Sequence, residues 1–132
     1  NNLKLSNNLG AGTLSIEISS MGEKIITNCG ASESMGKNPE YLRYSAAHST
    51  IILKNTNISE IKEKRPHIKF PQEVSFQINN GDESISFEGS HNGYIRKYKK
   101  IIKKKIIINK NEDKILGEDS IISLKSDSSK TV

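Results

Sequence analysis

Three histidines are the residues of this chain whose chemistry could serve catalysis or metal binding: His48, His67 and His91. The sequence has no pair of cysteines, no closely spaced histidines and no glycine-rich phosphate loop, which excludes the strongest metal and nucleotide motifs. His67 follows Pro66 in a polar stretch and is predicted to be exposed. His91 opens a turn, where a ring most often hydrogen-bonds to the backbone. His48 is therefore the histidine whose setting calls for an explanation.

The segment around His48 reads RYSAAHST, from Arg43 to Thr50. Its small residues would allow another surface to approach closely, and the hydroxyls of Ser49 and Thr50 could orient the imidazole ring as second-layer groups orient a metal ligand. Two interpretations stay open. A core histidine with satisfied hydrogen bonds is the one that residue statistics favour, and a binding residue is the other.

The composition indicates one ordinary soluble domain with a β-rich fold. The chain has 132 residues, of which 33% are hydrophobic and 27% charged, and it has no tryptophan. Isoleucine must therefore supply much of the core, and it fits pleated sheets better than helices. Clusters of Gly, Asn, Asp and Ser separate the apolar runs, as expected for turns between strands.

The alternation of apolar and polar residues predicts the strands. Thr13–Ser20 alternates with period two, Met21–Glu23 allows a reversal, and Lys24–Asn28 returns as the second strand of a hairpin. The Asn80-Gly81 pair can take the positive φ values of a type I′ hairpin turn. The further strands predicted are His48–Lys54, Glu73–Ile78, Glu83–Glu88, Tyr94–Ile108 and Lys114–Leu124.

The predicted fold class is all-β, an antiparallel β-sandwich that is part of a larger super-sandwich. The whole chain, 1–132, is expected to form a single sandwich domain. The long polar connection from Asn55 to Pro71 counts against a closed barrel, which would need evenly spaced strands.

One segment carries the basic character of the chain. Residues 96–105 contain seven lysines and arginines and no acid. Such a run can attract a polyanion, but a solvated edge strand protected by its lysines is the simpler interpretation. Nucleic acid is not an expected partner. The only aromatic residues among or just before these lysines and arginines are Tyr94 and Tyr98, and two rings are too few to form a platform on which nucleobases stack.

The ends and the single cysteine give limited information. Neither end has an apolar run long enough to span a membrane, and the first residue is Asn1 rather than Met, so the chain is expected to be a piece of a longer protein. Cys29 has no partner for an internal disulfide and is expected to pack as a small apolar residue.

The order of these motifs resembles the C-terminal β-sandwich domain of the heparinase II/III-like family. The resemblance covers about Gly10 to Ser120, and a His-x-Gly-Tyr turn at His91–Tyr94 with the basic strand after it also resembles the family. The other matching segments are Leu14–Ile18, Gly22, Asn28–Gly30, Arg43 and Ser45–Thr50.

The resemblance implies a metal site in some family members, with the residue matching His48 as a ligand. In those members, the residue that matches Asn28 is commonly Asp, and the residue that matches Gly10 is another histidine. Because Asn offers only a neutral oxygen and Gly no side chain, no zinc and no cofactor are expected in this chain. The pocket is expected to persist as hydrogen bonds.

The resemblance also implies a function. Family lyases cleave acidic, uronate-containing polysaccharides by β-elimination, with a catalytic tyrosine on an upstream α/α-toroid domain. This chain is then expected to pack against its own toroid and to bind substrate through Asn8, Arg43 and His48, without a catalytic residue of its own. The alternative is a non-catalytic carbohydrate-binding or structural module. Acidic polysaccharide is the expected partner, together with the upstream toroid domain.

Overall fold

A computed structural model describes residues 12–28, 42, 44–59, 71 and 73–125. The chain divides into two compact units, residues 1–71 and residues 72–132. The described part of the first unit holds a short hairpin and several turns, and that of the second holds a four-stranded sheet.

The hairpin of the first unit is built from β1 (Ile18–Ser20) and β2 (Glu23–Ile26). Ser20 pairs with Glu23, so Met21 and Gly22 alone form the turn, with φ values of 50° and 82°. Two consecutive positive φ values define the type I′ turn, which matches the twist of paired strands. The hairpin was predicted in the right place, but β1 begins at Ile18 rather than Thr13. Leu14 has a φ of 58°, which is incompatible with an extended strand.

The strand predicted for His48–Lys54 is wrong. The 3-10 turn Ser45–Ala47 precedes this segment. Among the described residues, the only ladder contact of the segment is an isolated bridge from Leu53 to Thr56. Lys54 and Asn55 have φ values of 47° and 55°, which close a tight turn between the two bridge residues. The segment is instead held by hydrogen bonds from its polar side chains, a form of local structure that competes with ladder pairing.

The sheet of the second unit is antiparallel throughout, with neighbours in chain order. Its strands are β3 (Val74–Asn80), β4 (Ser84–His91), β5 (Lys100–Asn109) and β6 (Lys114–Ser123). Four strands were predicted in this part of the chain, and all four are present, although β5 begins later than the predicted Tyr94.

One face of this sheet is rich in isoleucine, and we call it the isoleucine face. The register places its residues in rows across the four strands, and two of these rows are Ile78–Phe87–Ile106–Gly117 and Val74–His91–Ile102–Ile121. The centre of the face is buried, with Ile102 and Ile106 1% and 7% exposed, whereas Phe76 on the edge strand is 68% exposed. The core of this unit therefore lies along β4 and β5.

The long basic strand predicted for Tyr94–Ile108 is interrupted by a helical turn, α1 (Ile95–Tyr98). Lys99 ends this turn in the left-handed conformation, with a φ of 53°, and β5 begins at the next residue. The edge-strand interpretation of the lysine run is also wrong, because β5 is paired on both sides, with β4 and with β6. The lysines accordingly do not protect an open strand edge.

The hairpin predicted at Asn80-Gly81 is confirmed, but the turn chemistry is not. The loop has three residues, 81–83, and neither Asn80 nor Gly81 has a positive φ. The amide of Gly81 donates a hydrogen bond to the carbonyl of Ser84 at 2.9 Å. The extra residue gives the loop room to close without a left-handed glycine.

The described residues thus form two antiparallel sheets and almost no helix, in agreement with the predicted β-sandwich class. Within the same residues, no helix is long and apolar enough to cross a membrane.

Candidate functional site

Asn28 ties the hairpin of the first unit to the segment after the 3-10 turn. Its side-chain nitrogen donates to the carbonyl of Ile16 at 2.8 Å, and its side-chain oxygen accepts from the backbone N–H of Ser49 at 2.7 Å. Both ends of one amide are therefore used to join two segments that are 21 residues apart. An amide suits this position because it is a donor and an acceptor at once.

Ser49 completes the same connection. Its hydroxyl oxygen accepts from the N–H of Ile16 at 2.8 Å and lies 2.8 Å from the carbonyl of Ile16 and 3.0 Å from the side-chain oxygen of Asn28. The single hydroxyl hydrogen can serve either of those two acceptors. We call Ile16, Asn28 and Ser49, with the adjacent His48, the Asn28 cluster.

The hydroxyls of Ser49 and Thr50 do not orient the His48 ring, which corrects the role predicted for them. Ser49 binds Ile16 and Asn28, and the hydroxyl of Thr50 donates to the carbonyl of Thr13 at 2.8 Å. Both side chains thus anchor the backbone of the segment. The ring of His48 is fixed in another way, by packing.

Gly12 provides the surface against which the His48 ring packs. A Cβ atom at Gly12 would lie 2.7 Å from Cγ and 3.0 Å from Nδ1 of the imidazole, closer than side-chain atoms normally approach. The ring can therefore occupy its place only because residue 12 has no side chain. The sequence showed small residues next to His48 but not this glycine, which is 36 positions away.

Both ring nitrogens of His48 are buried and have no hydrogen-bond partner. Burial lowers the pKa of His48 below its ordinary value, because desolvation penalises the charged imidazolium. The ring is therefore neutral at pH 7, with one N–H donor and one lone pair unmatched. The expectation of a satisfied core histidine is not met, since unpaired buried polar groups carry a free-energy cost.

A divalent metal does not fit the Asn28 cluster. The side-chain oxygen of Asn28 is neutral and already accepts hydrogen bonds from Ser49. Among the described residues, no group of three or more His, Cys, Asp or Glu side chains comes together. One imidazole and one occupied amide oxygen are too few ligands for a zinc-type ion.

The 3-10 turn just before His48 is anchored by Ser45, which is fully buried. The N–H of Ser45 donates to the side-chain oxygen of Asn57 at 2.8 Å, and its hydroxyl accepts from the N–H of Ile58 at 2.9 Å. Ser45 therefore holds the start of the His48 segment to the loop that follows it.

The Ser45→Ala substitution is expected to lower the free energy of unfolding by about 2 kcal/mol, because it leaves the buried N–H of Ile58 without an acceptor. Urea denaturation followed by circular dichroism measures the change. Ser84→Ala, at a partly exposed position of β4, is the matched control and is expected to change stability little. An equal effect from both substitutions would contradict the anchoring role.

The Asn28→Asp substitution tests whether this position is specialised for hydrogen bonding. The carboxylate would place an oxygen where Asn28 now donates to Ile16, and two acceptors would face each other. We expect a loss of about 2 kcal/mol at pH 7. Repulsion raises the folded-state pKa of the new carboxyl, so the loss is present above that pKa and is relieved as the pH falls through it.

The pH dependence of urea denaturation distinguishes this explanation from a simple packing defect. The exposed Asn111 is the control position, where Asn111→Asp is expected to be neutral. A loss at Asn28→Asp that stays constant at acidic pH would argue against the facing oxygens.

The turn after β4 is the second place where a histidine is buried. His91 is 1% exposed, its Nδ1 accepts from the N–H of Gly93 at 3.1 Å, and its Nε2 has no partner. This confirms the predicted hydrogen bond to the backbone. Because Nδ1 is an acceptor, the neutral ring carries its proton on Nε2. The rings of His91 and Tyr94 lie 5.8 Å apart, and Tyr94 is also 1% exposed.

The lysine run of β5 is divided between the two faces of the sheet. Lys104 lies on the isoleucine face, is 8% exposed and pairs with Asp119 at 3.5 Å. Lys103 and Lys105 point to the other face, where Lys105 pairs with Glu88 at 3.0 Å. A shallow depression of about 150 Å³ on that face is lined by Lys103–Lys105, Glu88, Gly89, Glu118 and Ser120. Acids thus accompany Lys104 and Lys105, and the run is not a continuous cationic stripe.

Of the three predicted substrate-binding residues, His48 is the one placed by the structure. Asn8 and Arg43 lie outside the described residues, as do Gly10, Cys29 and His67. Sequence reasoning missed Gly12 and the anchoring role of Ser45. A glycine and a serine among many others give no signal without the fold.

The described residues, with two antiparallel sheets and almost no helix, belong to the all-β class and are consistent with a β-sandwich. Residues 3–130 match the family model described as "Heparinase II/III-like, C-terminal". The chain belongs to this family, as its motifs predicted. No curated protein and no solved structure matches the chain.

Proposed function

We propose that this chain is the sandwich domain of a heparinase II/III-like lyase and forms one wall of a cleft for an acidic, uronate-containing polysaccharide. The observation that supports this most directly is the His48 ring, which is held against Gly12 and has two unpaired nitrogens. A fixed polar group with unused hydrogen-bonding capacity is what a binding site needs.

In this proposal His48 recognises the sugar by hydrogen bonding and not by charge. Its pKa is lowered by burial, so at pH 7 the ring offers a neutral N–H and a lone pair rather than a positive charge. Arg43 and Asn8 supply further contacts to the uronate carboxylate, Arg43 through its planar guanidinium. The proton next to that carboxylate is removed by a tyrosine of an upstream toroid domain, and the glycosidic oxygen leaves to form the unsaturated product.

The test uses the full-length protein that carries this domain, incubated with heparin, heparan sulfate and alginate. Ultraviolet absorbance of the new double bond reports cleavage, and we expect it to rise with one of these substrates and to be lost in His48→Ala. Lys114→Ala, at an exposed position at the start of β6, is the control for a general surface effect. No absorbance on any substrate would count against a lyase.

A non-catalytic carbohydrate-binding module is the second candidate. It is favoured by the Asn28 cluster, whose polar atoms are largely used to hold the domain together. Burial lowers the pKa of both His48 and His91, which favours the neutral form of each ring. Binding of labelled acidic polysaccharide to the full-length protein without any rise in absorbance would decide for this module.

A further inference from the structure

The chain contains two Asn-Gly pairs, Asn80-Gly81 and Asn92-Gly93. In such a pair the backbone nitrogen of glycine can attack the side-chain Cγ of asparagine, since glycine has no Cβ to block the approach. The Cγ–Nδ2 bond breaks, ammonia leaves and a cyclic imide forms. Water then opens the imide at either carbonyl, which gives aspartate or isoaspartate. Water is the only co-reactant, and no electrons are transferred.

Asn80-Gly81 lies where solvent can reach it. Asn80 is the last residue of β3, and Asn80, Gly81 and Asp82 are all exposed. The amide of Gly81 makes one hydrogen bond, to the carbonyl of Ser84 at the base of the loop. Opening this end of the hairpin breaks little buried structure. The backbone nitrogen of Gly81 can therefore be freed from its hydrogen bond at a low cost in free energy.

Lys110 adds a chemical feature to this loop. Its ammonium donates to the side-chain oxygen of Asn80 at 2.9 Å and to the carbonyl of Gly81 at 2.7 Å. When the nitrogen of Gly81 adds to Cγ, negative charge develops on that side-chain oxygen. A cationic donor already in contact with it stabilises the tetrahedral intermediate, as an oxyanion hole does.

Asn92-Gly93 has the same two residues in a closed setting. Asn92 is 8% exposed, and its backbone and side chain exchange hydrogen bonds with Glu73 at 3.2 and 3.0 Å. The amide of Gly93 donates to Nδ1 of His91. Attack would require these bonds to open together within a buried turn, which costs far more free energy than opening the exposed loop.

We propose that Asn80 is a site of spontaneous deamidation assisted by Lys110, and that Asn92 is protected by the fold. The aspartyl product places a carboxylate beside the Lys110 ammonium, and Asp82 and Glu83 follow it closely in the chain. The isoaspartyl product adds a methylene to the backbone where Asn80 pairs with Ile85. The second product therefore disturbs the end of the β3–β4 ladder.

The experiment incubates the folded chain at mildly alkaline pH and follows each pair by peptide mapping and mass spectrometry, with enzymatic methylation to detect isoaspartate. We expect conversion at Asn80 while Asn92 stays intact, and similar conversion of both pairs in denaturant. Lys110→Met is expected to slow conversion of Asn80 several-fold. Lys114→Met, at the same end of the sheet, is the matched control and should leave the rate unchanged.

Two results would overturn the proposal. One is an Asn80 that is as stable as Asn92 in the folded chain, which would remove the selectivity. The other is a Lys110→Met variant that converts Asn80 as fast as the parent chain, which would remove the assistance. Circular dichroism of each variant before incubation ensures that folded proteins are compared. This proposal stands independently of the lyase assignment.

Discussion

Gly12→Ala is expected to lower the free energy of unfolding by about 3 kcal/mol, because the new methyl would overlap the imidazole of His48. The new Cβ at position 12 would lie 2.7 Å from Cγ of His48. Because Cγ is the ring atom bonded to Cβ of His48, a small rotation of the ring does not remove this overlap. Either the ring or the turn from Gly12 to Ser15 must move. The N–H of Ser15 donates to the carbonyl of Gly12 at 2.9 Å, and that turn would be strained.

Urea denaturation of the chain measures this loss, and Gly117→Ala is the matched control. Gly117 is exposed on β6, and a Cβ there would meet no atom within 4 Å. Its replacement is expected to be neutral or slightly stabilising, since alanine restricts the unfolded chain. A Gly12→Ala variant as stable as Gly117→Ala would contradict the packing of His48 on the glycine.

The same substitution connects stability with the proposed function. If His48 binds a saccharide only while it rests on Gly12, the full-length Gly12→Ala protein should lose affinity for the polysaccharide. If the ring repacks in a new rotamer, the free energy of polysaccharide binding should fall more than the free energy of unfolding. Comparing these two losses therefore shows whether binding depends on the position of the ring.

The sheet of the second unit was predictable because its alternation is strong. Val74, Phe76 and Ile78 recur with period two, and a register slip of one residue would turn all of them to the opposite face. The hairpin loop at 81–83 lies where Asn80-Gly81 predicts a reversal, although neither of these two residues has the positive φ expected of a type I′ turn. The apolar pattern and the place of the turn thus agree, which is the condition under which sequence predicts structure well.

The His48 segment could not be predicted in the same way. Its apolar residues, Ile51 to Leu53, suggest a strand, but hydrogen bonds from Ser49 and Thr50 to Ile16 and Thr13 take the place of ladder pairing. These partners are more than 30 residues away. Periodicity within a short window contains no information about them. Tertiary hydrogen bonds therefore decide the local structure here, against the strand preference of the apolar residues.

The lysine run shows a second limit of pattern reading. A strand rich in lysine is typical of an exposed edge, yet β5 is central and Lys104 is 8% exposed. The burial becomes tolerable because Asp119, on the neighbouring strand, supplies a counter-charge at 3.5 Å. The resemblance to a family identified Asn28 and His48 as positions of interest, and the structure joins Asn28 to Ser49, the residue next to His48. The substrate-binding roles of Asn8 and Arg43 stay predictions.

The stability of the chain is expected to fall as the pH is lowered from about 6.5 to about 4, with His91 as a main contributor. Burial lowers the pKa of His91 from 6.5 to about 4, because the imidazolium would be desolvated. The unfolded chain therefore takes up a proton in this range before the folded chain does. The stability is fully present above pH 6.5 and is lost as the pH falls through the folded-state pKa, by about 3 kcal/mol in total.

His91→Asn separates this contribution from that of the carboxylates, which titrate in both proteins. The asparagine oxygen can replace Nδ1 as the acceptor for the N–H of Gly93, but the side chain cannot be protonated in this range. Urea denaturation at a series of pH values should therefore give a flatter dependence for His91→Asn than for the parent chain. Equal slopes would mean that His91 is not charged during acid unfolding. A flatter slope would show that the buried turn at His91 is a point at which acid destabilises this domain.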